Sequence, residues 1–102
     1  MIVAEINGKA QSVLRLGELA KKLNRTTSAL RKMEDRKILP LANFRMPDVM
    51  MPGGKTRQGD RIYTLTLAEK LIPIFEGITQ GTPVTQEQKR EIRALFEEEL
   101  KS

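Results

Sequence analysis

The sequence predicts a mainly α fold with a small β component. Its order is an N-terminal β-hairpin, two short helices joined by a tight turn, a long loop flanked by strands, and two C-terminal helices over 66–80 and 85–101. Three observations predict this order. Apolar residues recur at i, i+3, i+4 and i+7, the spacing of a buried helical stripe, in Leu16–Leu23 and again in the C-terminal part. Asn7-Gly8 separates two strand-like runs and suits a hairpin turn with positive φ at both central positions. Residues 40–64 hold three prolines, three glycines and three methionines and keep no helical period. No composition break divides the chain, so 1–102 is expected to be a single domain.

Each element has a local reason. In the hairpin, 1–14, Ile2, Ala4 and Ile6 alternate to give one apolar face. An isolated hairpin is barely stable in water, so this one should lie on the helices or pair with another strand. Over 15–39, Leu16, Leu19, Ala20 and Leu23 bury one side of a first helix, and Asn24 suits the left-handed position that ends it. Thr26 is placed to cap a second helix. Ala29, Leu30, Met33 and Ile38 of that helix face inward, Thr27, Ser28, Arg31, Lys32 and Arg36 face outward, and Leu39-Pro40 should stop it.

In the long loop, 40–64, strands are expected around Asn43-Phe44-Arg45 and Arg61-Ile62-Tyr63-Thr64, with a flexible basic tip at 53–59. Thr66-Leu67-Ala68-Glu69 is a capping box opening the third helix, with Leu67, Leu71, Ile74, Phe75 and Ile78 on one side. Pro73 deletes one backbone hydrogen bond there, at a cost of about 3 kcal/mol unless the local backbone adapts. Thr85-Gln86-Glu87-Gln88 is a second capping box, and Ile92, Leu95, Phe96 and Leu100 should face inward from the last helix. Glu97, Glu98 and Glu99 oppose the dipole at its end, so fraying is expected.

Composition removes whole classes of chemistry. The chain has no cysteine and no histidine, which excludes disulfides, thiolate metal sites and the usual neutral-pH general base. Asp35, Asp48 and Asp60 fall in different elements, and Gly53-Gly54-Lys55-Thr56 lacks the earlier glycine of a phosphate-binding loop. No catalytic residue, no metal site and no cofactor is therefore assigned, and the chain is not expected to be an enzyme. No stretch approaches the roughly 20 apolar residues that span a bilayer. MIVAEING is too short and polar for a signal peptide, so a cytoplasmic location is expected. Residues 1–65 carry 13 Lys/Arg against 6 Asp/Glu, while 66–102 carry 5 against 7. The basic field thus coincides with the two-helix unit and the loop, and it attracts polyanions.

Leu16-Gly17-Glu18-Leu19-Ala20, Thr26 with Leu30-Arg31 and Glu34, Leu39-Pro40 and Arg61-Ile62-Tyr63 fall in a familiar order. The segment 81–95, GTPVTQEQKREIRAL, fits the helix that follows. Together they resemble the winged helix-turn-helix DNA-binding domain of the MerR family and the related small phage excisionases, over roughly residues 14–96. The resemblance implies that the second helix lies in the major groove of DNA. It places Thr27, Ser28, Arg31 and Lys32 toward the bases, and gives Arg61 and Tyr63 the family's Arg-x-Tyr, which touches phosphate or holds the wing. Lys55 and Arg57 lie in the variable wing tip, where phosphate contact follows from charge. The chain departs from the family in its longer wing, its added N-terminal hairpin and its lack of the MerR dimerisation helix.

The resulting expectation is a sequence-specific reader of double-stranded DNA, nucleoid-associated, serving as a phage-type transcriptional regulator or excisionase-type recombination accessory factor. Self-association on DNA stays open, and no small-molecule effector or membrane contact is indicated. The alternative is a protein-interaction or assembly adaptor, such as a phage packaging component, motivated by Met46, Met50 and Met51 and the acid-tipped last helix.

Overall fold

The computed structural model describes residues 2–79 and 81–101 as four helices and a curled antiparallel sheet, a mixed α/β arrangement. Met1, Gln80 and Ser102, which the expected boundaries included, lie outside the described residues. The order is β1 (Ile2–Ile6), β2 (Lys9–Arg15), α1 (Leu16–Lys22), α2 (Thr27–Asp35), β3 (Phe44–Arg45), β4 (Val49–Met50), β5 (Thr56–Arg57), β6 (Arg61–Thr64), α3 (Leu65–Glu76) and α4 (Gln86–Lys101).

The β part is larger than expected because the hairpin and the loop strands merge. Asn7 and Gly8 both take positive φ, 53° and 79°, and set Ile6 opposite Lys9. β2 then pairs with β6, and β6 with β3, giving a four-stranded sheet in the order β1-β2-β6-β3. Alternation splits the strand residues between its faces. Leu14 and Tyr63 join the main core with Leu19, Leu30, Leu71, Phe75, Ile92 and Phe96. Ile6, Val13 and Ile62 form a second, smaller cluster with Phe44 and Met46 packed on it. The loop tip is not featureless: β4 and β5 form their own two-stranded ribbon.

α1 and α2 end in the same way. Arg25 N–H donates to Ala20 O at 2.8 Å and Asn24 N–H to Lys21 O at 3.1 Å, with Asn24 at φ 55°. At α2, Ile38 N–H donates to Met33 O and Lys37 N–H to Glu34 O, with Lys37 at φ 60°. Both are the paired bonds of the Schellman motif. The second ends α2 at Asp35 instead of at Leu39-Pro40, because Lys37 adopts the left-handed conformation usually reserved for glycine or asparagine.

The third helix starts and stops earlier than its sequence signals indicate. Thr64, not Thr66, caps it, its hydroxyl accepting from Leu67 N–H at 3.2 Å, so strand passes into helix with no linker. It ends at Glu76 with Gly77 as C-cap, and Pro73 sits on its exposed side without breaking it. α4 does open with the expected box: Thr85 and Gln88 exchange side-chain-to-backbone bonds at 2.9 and 3.1 Å.

α4 also remains helical to Lys101, against the expected fraying. The reason is Glu99, which is only 4% exposed. Its carboxylate accepts from Thr64 N–H and Thr64 Oγ1, both at 2.9 Å, and from Asn43 Nδ2 at 3.0 Å. The inward stripe therefore runs Ile92, Phe96, Glu99, and Leu100 turns outward. Hydrogen bonds to a buried charged group are among the stronger ones, and their loss strands the donors. Glu99→Ala should lower stability by about 3 kcal/mol in urea unfolding, whereas Leu100→Ser should leave it within about 0.5 kcal/mol.

Candidate nucleic-acid interface

α2 presents two faces. Leu30 is fully buried, a transfer from water that contributes about 2 kcal/mol. Thr26 caps the helix, its hydroxyl accepting from Ala29 N–H at 3.1 Å, which frees the first turn for the surface. Ser28, Arg31 and Lys32 are exposed and Thr27 is half-buried. Among the described residues, Arg31 and Lys32 enter no ion pair. Glu34, three residues along the helix from Arg31, is held by Arg61, whose Nη1 lies 2.6 and 2.7 Å from its two carboxylate oxygens.

Between this helix and the strands lies an open groove. Thr27 and Arg31 of α2 line it, together with Arg45, Gly59 and Arg61 from the strand side and Arg15, where β2 passes into α1. Arg45 and Arg61 stand directly opposite each other on β3 and β6. Like charges at such a pair repel, so each guanidinium is drawn elsewhere: Arg45 Nη1 donates to Gly59 O at 3.2 Å, and Arg61 goes to Glu34. Among the described residues Asp60 is the one acidic side chain lining the groove, and it is met by Arg15 at 3.1 Å and Arg57 at 3.6 Å. Four arginines around one aspartate make the concavity cationic.

The sequence-derived site residues therefore separate into groups. Thr27, Arg31 and Arg61 meet at the groove. Ser28 and Lys32, one residue further along the helix, form the adjacent exposed row. Lys55 and Arg57 are exposed on the ribbon, outside the groove lining, though Arg57 reaches Asp60 at 3.6 Å. Tyr63 is a correction: it is fully buried, its ring edge-on to Phe96 with centroids 6.2 Å apart, so it has no surface to offer a phosphate. Arg61 is engaged by the Glu34 carboxylate, which ties β6 to α2.

Sequence reasoning missed Arg15, Arg45 and Asp60 as groove residues. Arg45 had a signal, since both strands were expected and pairing them puts it opposite Arg61. Arg15 had none, because its role follows from β2 running straight into α1. Arg25 was also missed. Its Nη2 donates to Phe75 O at 3.0 Å and Ile78 O at 2.7 Å, its Nη1 to Asn24 O at 3.1 Å, and its guanidinium lies over the Phe75 ring. It joins the α1–α2 turn to the negative end of α3.

No protein-family model, no curated protein and no solved structure matches this chain. Among the described residues no three acidic, histidine or cysteine side chains gather where they could hold a metal ion. No helix there is long and apolar enough to cross a membrane.

Two outcomes follow from this geometry. Glu34 is 5% exposed at its side chain and Arg61 32%, so removing one partner leaves a poorly hydrated charge behind. Glu34→Ala and Arg61→Ala should each destabilise by about 2 kcal/mol, and a double-mutant cycle should show them strongly non-additive. Tyr63 has its pKa pushed up from 10.0 to about 12, by burial first and by Glu34 second, with the nearby Arg61 guanidinium pulling the other way. The folded state thus holds the phenol proton more tightly than the unfolded chain. The stability this represents is complete below pH 10.0 and drains away as the pH rises toward about 12. Phenolate absorbance should accordingly appear together with unfolding, not before it.

Proposed function

We propose that this chain is a winged helix-turn-helix reader of double-stranded DNA. α2 lies in a major groove, with Thr27, Ser28, Arg31 and Lys32 toward base edges and phosphates. β3, β6 and the ribbon form the wing, whose arginines face the neighbouring backbone. Support comes chiefly from the cationic groove between α2 and β6, where Arg31, among the described residues, enters no ion pair and Arg45 faces Arg61. An exposed, unengaged arginine can fork onto guanine or clamp a phosphate. Transcription control or a recombination accessory role, and nucleoid association, belong to the same proposal.

Fluorescence titration of a labelled duplex should show binding that weakens steeply with salt. Arg31→Glu should remove that binding while leaving unfolding behaviour unchanged, since the side chain is exposed. An Arg31→Glu variant that selects the same sequences from a random duplex pool as the wild type would refute the assignment of α2 to the groove.

The adaptor reading is favoured by a different observation, the exposed apolar surface of Leu41, Val49 and Met50. Light scattering separates the two. A stable assembly formed without DNA supports the adaptor; a monomer with salt-sensitive DNA binding supports the reader.

A further inference from the structure

The ribbon carries a feature that phosphate contact leaves unexplained. Every residue from 47 to 58 is exposed, so this segment stands off the body of the protein. On it, Val49 is 54% and Met50 78% exposed. Opposite them in register stand Arg57 and Thr56, with Lys55 next to the turn. The tip is narrow. Met51 N–H closes the turn on Lys55 O at 2.6 Å, and Gly53 and Gly54 take φ of 89° and 80° with no side chains to widen it. Met50 shares its face of the ribbon with Thr56, while Val49 and Arg57 share the other. A large apolar side chain held in water on a narrow ribbon backed by a cation matches the wedge by which proteins enter the minor groove and open a base step.

We propose that the ribbon inserts into a DNA minor groove, that Met50 wedges between adjacent base pairs, and that the protein thereby kinks the duplex it binds. This rests on the DNA-reader proposal. Lys55, with Arg57 in only a long and exposed pairing to Asp60 at 3.6 Å, favours a polyanion over a second copy of the same ribbon, which is why a duplex is the chosen occupant. The narrow Gly-Gly tip enters a groove only about 6 Å wide. Methionine, unbranched and polarisable, adapts to the gap between unstacked bases. Pyrimidine–purine steps, which unstack most easily, are the preferred point of entry.

The test uses the full chain and duplexes of mixed sequence with a fluorophore at each end. One carries TA steps and 2-aminopurine at its centre; the other carries an A-tract. Binding is followed by anisotropy in the same samples. The expected result is a shortened end-to-end distance and raised 2-aminopurine emission on the TA duplex, and smaller changes on the A-tract. Met50→Ser should lose most of both signals while its affinity falls by less than about tenfold, and Met50→Leu should keep them. Wild-type binding to a duplex that stays straight and stacked overturns the wedge but not the reader. So does a Met50→Ser variant that kinks DNA like the wild type, and a Met50→Ser variant altered only in self-assembly by light scattering. Absence of any salt-sensitive binding overturns both proposals.

Discussion

The contact between Glu34 and Arg61 is the constraint on which the rest of the surface depends. It joins the last full turn of α2 to the first residue of β6, with one guanidinium nitrogen against both carboxylate oxygens. Glu34 is almost wholly withdrawn from water, so the pair is held at low local dielectric and resists rotation or separation. As a result the helix backbone that carries Arg31 is held at a set distance from the strands that carry Arg45 and Arg61. A frame fixed in advance leaves only side chains to order when a ligand binds, so less of the interaction is lost to ordering.

Two other polar side chains perform the same service elsewhere. Arg25 fastens the α1–α2 turn to the carbonyls that end α3. Glu99 fastens the end of α4 to Thr64, at the junction of β6 and α3, and to Asn43, next to β3. With Arg61, each connects elements distant in sequence, and each contact is the satisfaction of groups that a helix end or a buried charge would otherwise leave stranded. A chain of this length buries only a modest apolar core. These polar links give direction to what hydrophobic contact alone would leave loosely specified.

Much of the fold was legible because its signals are local. Asn7-Gly8 needs no partner to make its turn, and Thr26, Asn24 and Thr85 state their helix boundaries within four residues. What misled were local signals overruled from a distance. Thr66-x-x-Glu69 is a sound capping box, yet Thr64 prevails because Glu99 and β6 already hold it in place. The acidic run at the end of α4 reads as repulsion until Glu99 is seen to meet two donors of Thr64, 35 positions away. Lys37 in a left-handed conformation has no sequence mark at all. In the site, the outward residues of α2 were readable from helical period, whereas the fate of Tyr63 depended on which strand face met the helices. One strand's alternation gives two faces without saying which is inside.

Gly59 has a further consequence. It is buried, its N–H bonded to Asp48, and a Cβ placed on it would lie 1.8 Å from the carbonyl oxygen of Met46. Strands as short as β3, β4 and β5 offer few ladder bonds to tell one alignment from the next. A slip by one residue would bring the side chain of Gln58 or Asp60 into that crossing, where backbone leaves no space. The pinch at Gly59 thus penalises those shifted alignments and favours the one that sets Arg45 beside Arg61 on the same side of the sheet.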